Sequence, residues 1–187
     1  MKDNLQQYFL ISMGLRLGIF GLLALILTIA FTGCNRIVID EYQGMALTTH
    51  TWQVEYFISR NEKTPRIEQF ASNSLLNIDG ERPPQAFGDK DDRELWWADI
   101  PPKPSLDEIE ALEKTGEKHS RPSLLRTVEF SLQYQYQGET FEKPTDFSVY
   151  RQAVKAKRQQ KSLKILLGIG DRSVQKAEPV ISVNSEQ

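Results

Sequence analysis

The sequence predicts an α+β domain on an antiparallel sheet, set behind an N-terminal apolar segment. Three observations predict it. Residues 46–59 and 127–137 alternate apolar and polar side chains with a period of two, the habit of strands with one face on a core and one in water. Helix-start signals stand at Ser105 and at Pro144-Thr145-Asp146. The elements do not follow the regular strand–helix alternation of a parallel sheet. A β-sandwich is the second architecture compatible with them.

The chain opens on residues that carry Lys2 and Arg16, then runs without a charge from Leu17 to Asn35. Nineteen such residues in a helix span roughly 28 Å at ~1.5 Å each, close to the ~30 Å hydrocarbon core of a bilayer. The basic residues before the run favour a cytoplasmic N-terminus, which places residues 35–187 outside the cytoplasm, on the periplasmic or lumenal side. The same run reads as a signal peptide, with a basic start, an apolar centre and small residues at its end. The expected organisation is a signal peptide or membrane anchor at 1–33 and a tether at 34–45. An extracytoplasmic domain follows at 46–178, with a flexible tail at 179–187.

The run ends on Ala30-Phe31-Thr32-Gly33-Cys34, and Cys34 is the one cysteine of the chain. This stretch resembles the lipobox of bacterial lipoproteins. The resemblance covers the first 34 residues and implies nothing about the fold beyond them. It implies a diacylglyceryl group on the Cys34 thiol and cleavage of the bond before it, which small Gly33 leaves accessible. The alternative is an uncleaved single span with Cys34 at the interface. Either way the domain is tethered to a membrane, through Cys34 or through residues 17–33. A lone cysteine forms no internal disulfide and no cysteine-based zinc site.

Each element of the exported part has its own reason. In "ALTTHTWQVEYFIS" (46–59), Trp52, Val54, Tyr56 and Ile58 share one face of a strand. "RIEQFASNSLLNI" (66–78) fits a short helix or a strand equally. Residues 80–104 form an acidic loop stiffened by Pro83, Pro84, Pro101, Pro102 and Pro104. Ser105 with Glu108 is a capping box, and Leu106, Ile109 and Leu112 make the apolar stripe of a helix of about ten residues that Gly116 ends. In "TVEFSLQYQYQG", Val128, Phe130, Leu132, Tyr134 and Tyr136 face a core, and Gly138 breaks the strand. Thr145 then caps a helix that turns Phe147, Tyr150 and Val154 to one side. Residues 162–170 read as a strand or as the end of that helix.

Charge is unevenly placed around a net of −2. Residues 79–117 hold twelve acids and five bases, whereas residues 151–164 hold six bases and no acid. The overall balance gives no pull toward nucleic acid. The basic stretch, with Arg151, Lys155, Lys157, Arg158 and Lys161, is expected as one cationic face for an anionic surface at 151–164. Trp96-Trp97 is the second candidate contact: in extended chain, either both indoles cover a hydrophobic cluster as the loop lies over the sheet, or one anchors in the core and the other faces out to a partner. Asp89, Asp91, Asp92 and Glu94 do not follow the EF-hand pattern, because Glu94 stands where that loop needs glycine. His50 and His119 show no metal spacing, and Gly168-Ile169-Gly170 reads as a turn. No nucleophile, metal set or cofactor motif is found, so catalytic, metal and cofactor residues are none. The expected function is a membrane-tethered lipoprotein, a non-catalytic accessory subunit, assembly factor or binding module of an envelope complex. An uncleaved subunit of a secretion or transport assembly and an envelope hydrolase are the alternatives.

Overall fold

Gln137 and Gly138 show how the chain builds its sheets. Both take positive φ, 54° and 84°, the primed two-residue turn whose twist matches that of paired strands. In the computed structural model, which describes residues 35–180 apart from 60 and 62, this turn joins β5 (Ser123–Tyr136) to β6 (Glu139–Thr145). The other elements are β1 (Arg36–Ile39), β2 (Tyr42–Phe57), β3 (Arg66–Ile78), α1 (Leu106–Glu110), β4 (Lys118–His119), α2 (Phe147–Arg158), β7 (Leu163–Leu167) and β8 (Val174–Pro179). A 3₁₀ turn at Ile169–Asp171 links the last two strands. The expected signal segment, Cys34 and residues 181–187 lie outside the described residues.

All strand pairing is antiparallel, but in two sheets rather than one. One has the order β1-β7-β8; the other runs β3-β2-β5-β6, with β4 paired to the far end of β2. α2 packs against β8 and β2, so its apolar side serves both sheets. One core joins Ile37, Ile39, Leu163, Ile165 and Val174 of the small sheet to Leu132 and Tyr134 of the large one, through Val149, Ala153 and Ala156 of α2. Full burial of each such aliphatic side chain contributes about 1.5–3 kcal/mol. Among the described residues no helix is long and apolar enough to cross a membrane.

Several expectations need correction. Residues 36–45 are not a tether: they form β1 and open β2, with Ile37 and Ile39 buried. β8 ends at Pro179, one residue past the expected boundary of the domain. Of the two segments open between helix and strand, 66–78 is a strand and so is 163–167. α2 is capped by Asp146, whose Oδ1 accepts from the Val149 amide at 2.9 Å. Thr145 cannot cap it, because it ends β6 and donates its hydroxyl to the Val174 carbonyl at 2.7 Å.

α1 has the expected capping box but only five residues. Ile109 alone is buried, against Val54 and Tyr56, while Leu106 and Leu112 stay exposed. Beyond it, Arg66 holds the chain in a turn by donating to the Leu112 carbonyl at 2.9 Å and to Glu117 at 3.1 Å. Glu117 also accepts from the Lys114 amide at 2.9 Å. The Arg66 hydrogen bond, then the Lys114 amide, pulls the Glu117 carboxyl down to about 2.

Because that value lies below the ordinary 4.5, Glu117 stabilises the fold at neutral pH and loses its contribution as pH falls toward about 2. Urea midpoints measured at pH 6 and at pH 2.5 will differ less for Glu117→Gln than for the unaltered protein. An equal difference would show that this ion pair does not hold the α1–β4 connection.

Candidate binding cleft

The 80–104 segment is fastened across the large sheet by two buried polar side chains. Asn77 and Thr48 are both fully buried. The Asn77 Oδ1 accepts from the Trp96 amide at 2.8 Å, and its Nδ2 donates to the Trp96 carbonyl at 3.1 Å and to the Ala46 carbonyl at 3.2 Å. Thr48 donates to the same Trp96 carbonyl at 2.9 Å. The Asn77 amide thus pairs with the N–H and C=O of one residue much as a neighbouring strand would, and leaves neither of its polar atoms orphaned.

One acidic residue of the loop, Asp91, also works inward. Asp91 Oδ1 accepts from the amides of Arg93 at 3.0 Å and Leu95 at 2.8 Å, and Oδ2 accepts from the Trp97 indole at 3.0 Å. Both indoles are covered, Trp96 being 8% and Trp97 9% exposed, so neither faces outward to a partner. Arg82 and Lys90 lie over Trp96 at 4.6 and 5.3 Å. Trp97 stacks on His50 with ring centroids 4.8 Å apart. Burial, and then the Arg126 charge, lowers the His50 pKa, so this ring is neutral at pH 7. Trp52, at a bulge in β2, donates to the Pro101 carbonyl at 2.8 Å and pins the far end of the loop.

This strap stands beside α2 and encloses a cleft of about 210 Å³. On the helix side, Arg151, Lys155 and Arg158 project at i, i+4 and i+7, one stripe of an α-helix. Across from them lie Gly80, Asp92, Arg93 and Glu94. Phe147, Tyr150 and Val154 complete the lining, with Leu95 packed on Tyr150 and Val154 behind it. Gly80 is required here. Its φ is +69°, and a Cβ would meet Val154 Cγ1 at 3.1 Å and an Arg158 guanidinium nitrogen at 3.0 Å.

Bases outnumber acids in the lining, Arg93, Arg151, Lys155 and Arg158 against Asp92 and Glu94. The ion pairs among the described residues are Arg66–Glu68, Arg66–Glu117, Arg93–Asp91 and Lys176–Glu178. None of them engages Arg151, Lys155 or Arg158. Tyr150 lines the cleft as a residue only 3% exposed, its hydroxyl buried beside Gly80. Burial, with the Asp79 charge next, raises its pKa to about 12, so it stays protonated and able to donate. The remaining bases of the stretch point elsewhere. Lys157 donates to the Tyr42 carbonyl at 3.0 Å on the other side of α2. Lys164 lies on β7. The stretch is therefore divided among three surfaces rather than gathered on one.

Tyr150, Gly80 and the clamp residues Asn77 and Thr48 were not among the sequence candidates. The signal for the clamp was a polar residue at a core-facing position, since Asn77 shares its face of β3 with buried Leu75. No protein-family model, curated protein or solved structure matches the chain.

Replacing Asn77 by Ala leaves the Trp96 amide buried without a partner, at a cost of about 2–4 kcal/mol. Urea unfolding followed by tryptophan emission will show the loss, with emission shifted to the red before the main transition as the strap lifts. A stability within about 0.5 kcal/mol of the unaltered protein would mean that the clamp does not hold the loop.

Proposed function

We propose that this chain is a lipoprotein with an α+β domain, tethered through Cys34 to the outer side of a membrane. In this reading it is a non-catalytic accessory or assembly subunit. Its α2 cleft binds an acidic segment of a partner protein in the same envelope complex. The observation that carries the binding role is the cleft: Arg151, Lys155 and Arg158 line it on one helix stripe and enter none of the ion pairs among the described residues. A carboxylate is the complementary group, because it accepts from guanidinium and ammonium donors at once. A neutral Tyr150 favours binding over proton abstraction, since a general base needs a pKa near the working pH. The tether rests on the charge-free run that ends in Gly33-Cys34. Stable anchoring requires more than one acyl chain, which lipidation of that class supplies.

The mass of the protein isolated from its own membrane tests the tether. A lipid-bearing chain that starts at Cys34 is expected; an unlipidated mass for 1–187 overturns the lipoprotein reading in favour of an uncleaved span. Titration with a glutamate-rich peptide tests the cleft. Lys155→Glu is expected to weaken binding about tenfold or more, a change of ~1.4 kcal/mol or greater. Lys164→Glu, on the other surface, is expected to leave binding unchanged. Equal losses from both would reduce the effect to net charge and remove the cleft as the site.

A further inference from the structure

The chain enters the domain at one end of the small sheet. Arg36 opens β1 and pairs with Leu166, and the antiparallel register carries β7 past it into the turn 168–173. That turn therefore lies at the end from which the chain arrives. It is closed by its own hydrogen bonds, with the Gly168 amide donating to the Ser173 carbonyl at 2.8 Å and the Asp171 amide to the Gly168 carbonyl at 3.0 Å. Ile169 at its tip is 95% exposed, the most exposed large hydrophobic side chain among the described residues. A well-formed turn that holds an isoleucine out in solvent gains nothing from it inside the domain.

The surroundings are basic. On the outward face of the small sheet, Arg36, Leu166 and Lys176 form one row, and Val38, Lys164 and Glu178 form the next. Arg172 is exposed in the turn itself. The acids of the region are Asp171, also exposed, and Glu178, which is paired with Lys176 at 2.6 Å. The cations Arg36, Lys164 and Arg172 have no carboxylate partner among the described ion pairs. An exposed aliphatic tip ringed by basic side chains is the composition of a surface that enters the head-group region of an anionic bilayer.

We propose that this end of the domain docks on the membrane, with Ile169 in the head-group region and Arg36, Lys164 and Arg172 on lipid phosphates. The proposal rests on the membrane-tethered reading given above. Chain length identifies the occupant. Cys34 precedes Arg36 by two residues, and two Cα steps span at most about 7 Å. With β1 already built at Arg36, a residue 34 held at the bilayer brings the start of the small sheet within roughly one Debye length, ~8 Å, of the head groups. α2 leads into β7 at Leu163, opposite Ile39, so Arg158 stands toward the other end of β1 and remains available to a protein partner.

The test uses the full-length protein, isolated from its own membrane and reconstituted in vesicles of phosphatidylglycerol and phosphatidylethanolamine. An environment-sensitive fluorophore is placed on Ile169→Cys, or on Lys118→Cys at the far end of β2. Protein without either substitution, taken through the same labelling, supplies the Cys34 background. The expected result is flotation with the vesicles, with the probe at 169 shifted to the blue and quenched by lipid-borne nitroxides, and the probe at 118 unaffected. Vesicle-bound protein whose probe at 169 behaves like that at 118 overturns the docking and leaves the tether standing. Protein that stays in the buffer overturns the tether and the docking together.

Discussion

One side-chain amide holding the backbone N–H and C=O of one residue fixes the strap beside α2. Asn77, inside the large sheet, bonds both the amide and the carbonyl of Trp96, nineteen residues later. Detaching that residue leaves buried polar atoms on both sides, each costing about 1–3 kcal/mol. The strap is therefore fixed before any ligand arrives. Its position sets Leu95 against Tyr150 and places Asp92, Arg93 and Glu94 opposite α2. On the proposed reading, a partner segment would meet a formed wall and order little of the protein on binding, which lowers the entropic cost of association.

Helix geometry separates the basic residues by task. Side chains on α2 are spaced 100° apart, so Arg151, Lys155 and Arg158 share a stripe while Lys157 faces Tyr42. Val149, Ala153 and Ala156 occupy the side that fills the core between the two sheets. Lys164 falls beyond the helix, on the outward face of β7 with Arg36 and Lys176. Two cationic surfaces result, one in a cleft and one at the end where the chain enters. On this account the first faces a partner protein and the second faces lipid.

What could be read in advance follows from how local the deciding contacts are. The alternation of β5 was legible because that strand is half buried along its length, with Leu132 and Tyr134 in the core. The capping box at Ser105 was legible because it closes within four residues. β3 was ambiguous because it lies at a sheet edge and leaves Ile67, Leu76 and Ile78 exposed, which blurs its period. β1 was mistaken for tether because four residues with two core positions look the same as an apolar stretch leaving a membrane. The basic stretch was visible in composition, but its division depends on where α2 ends. The burial of both Trp96 and Trp97 follows from long-range partners, Arg82 and Lys90 over one ring and His50 under the other. Tyr150 looked like an ordinary core position, since only the strap wall gives it a cleft to line.

Photo-cross-linking from position 155 in intact membranes tests the central claim, that this tethered domain works by gripping an acidic segment of a neighbouring protein. A photoreactive amino acid is installed in place of Lys155, and separately in place of Lys164 on the small sheet, and the cross-linked peptides are sequenced. The account predicts that position 155 joins an Asp- or Glu-rich peptide of one membrane-complex protein, and that position 164 joins lipid or nothing. A basic or neutral peptide at 155, or the same adduct from both positions, would contradict it.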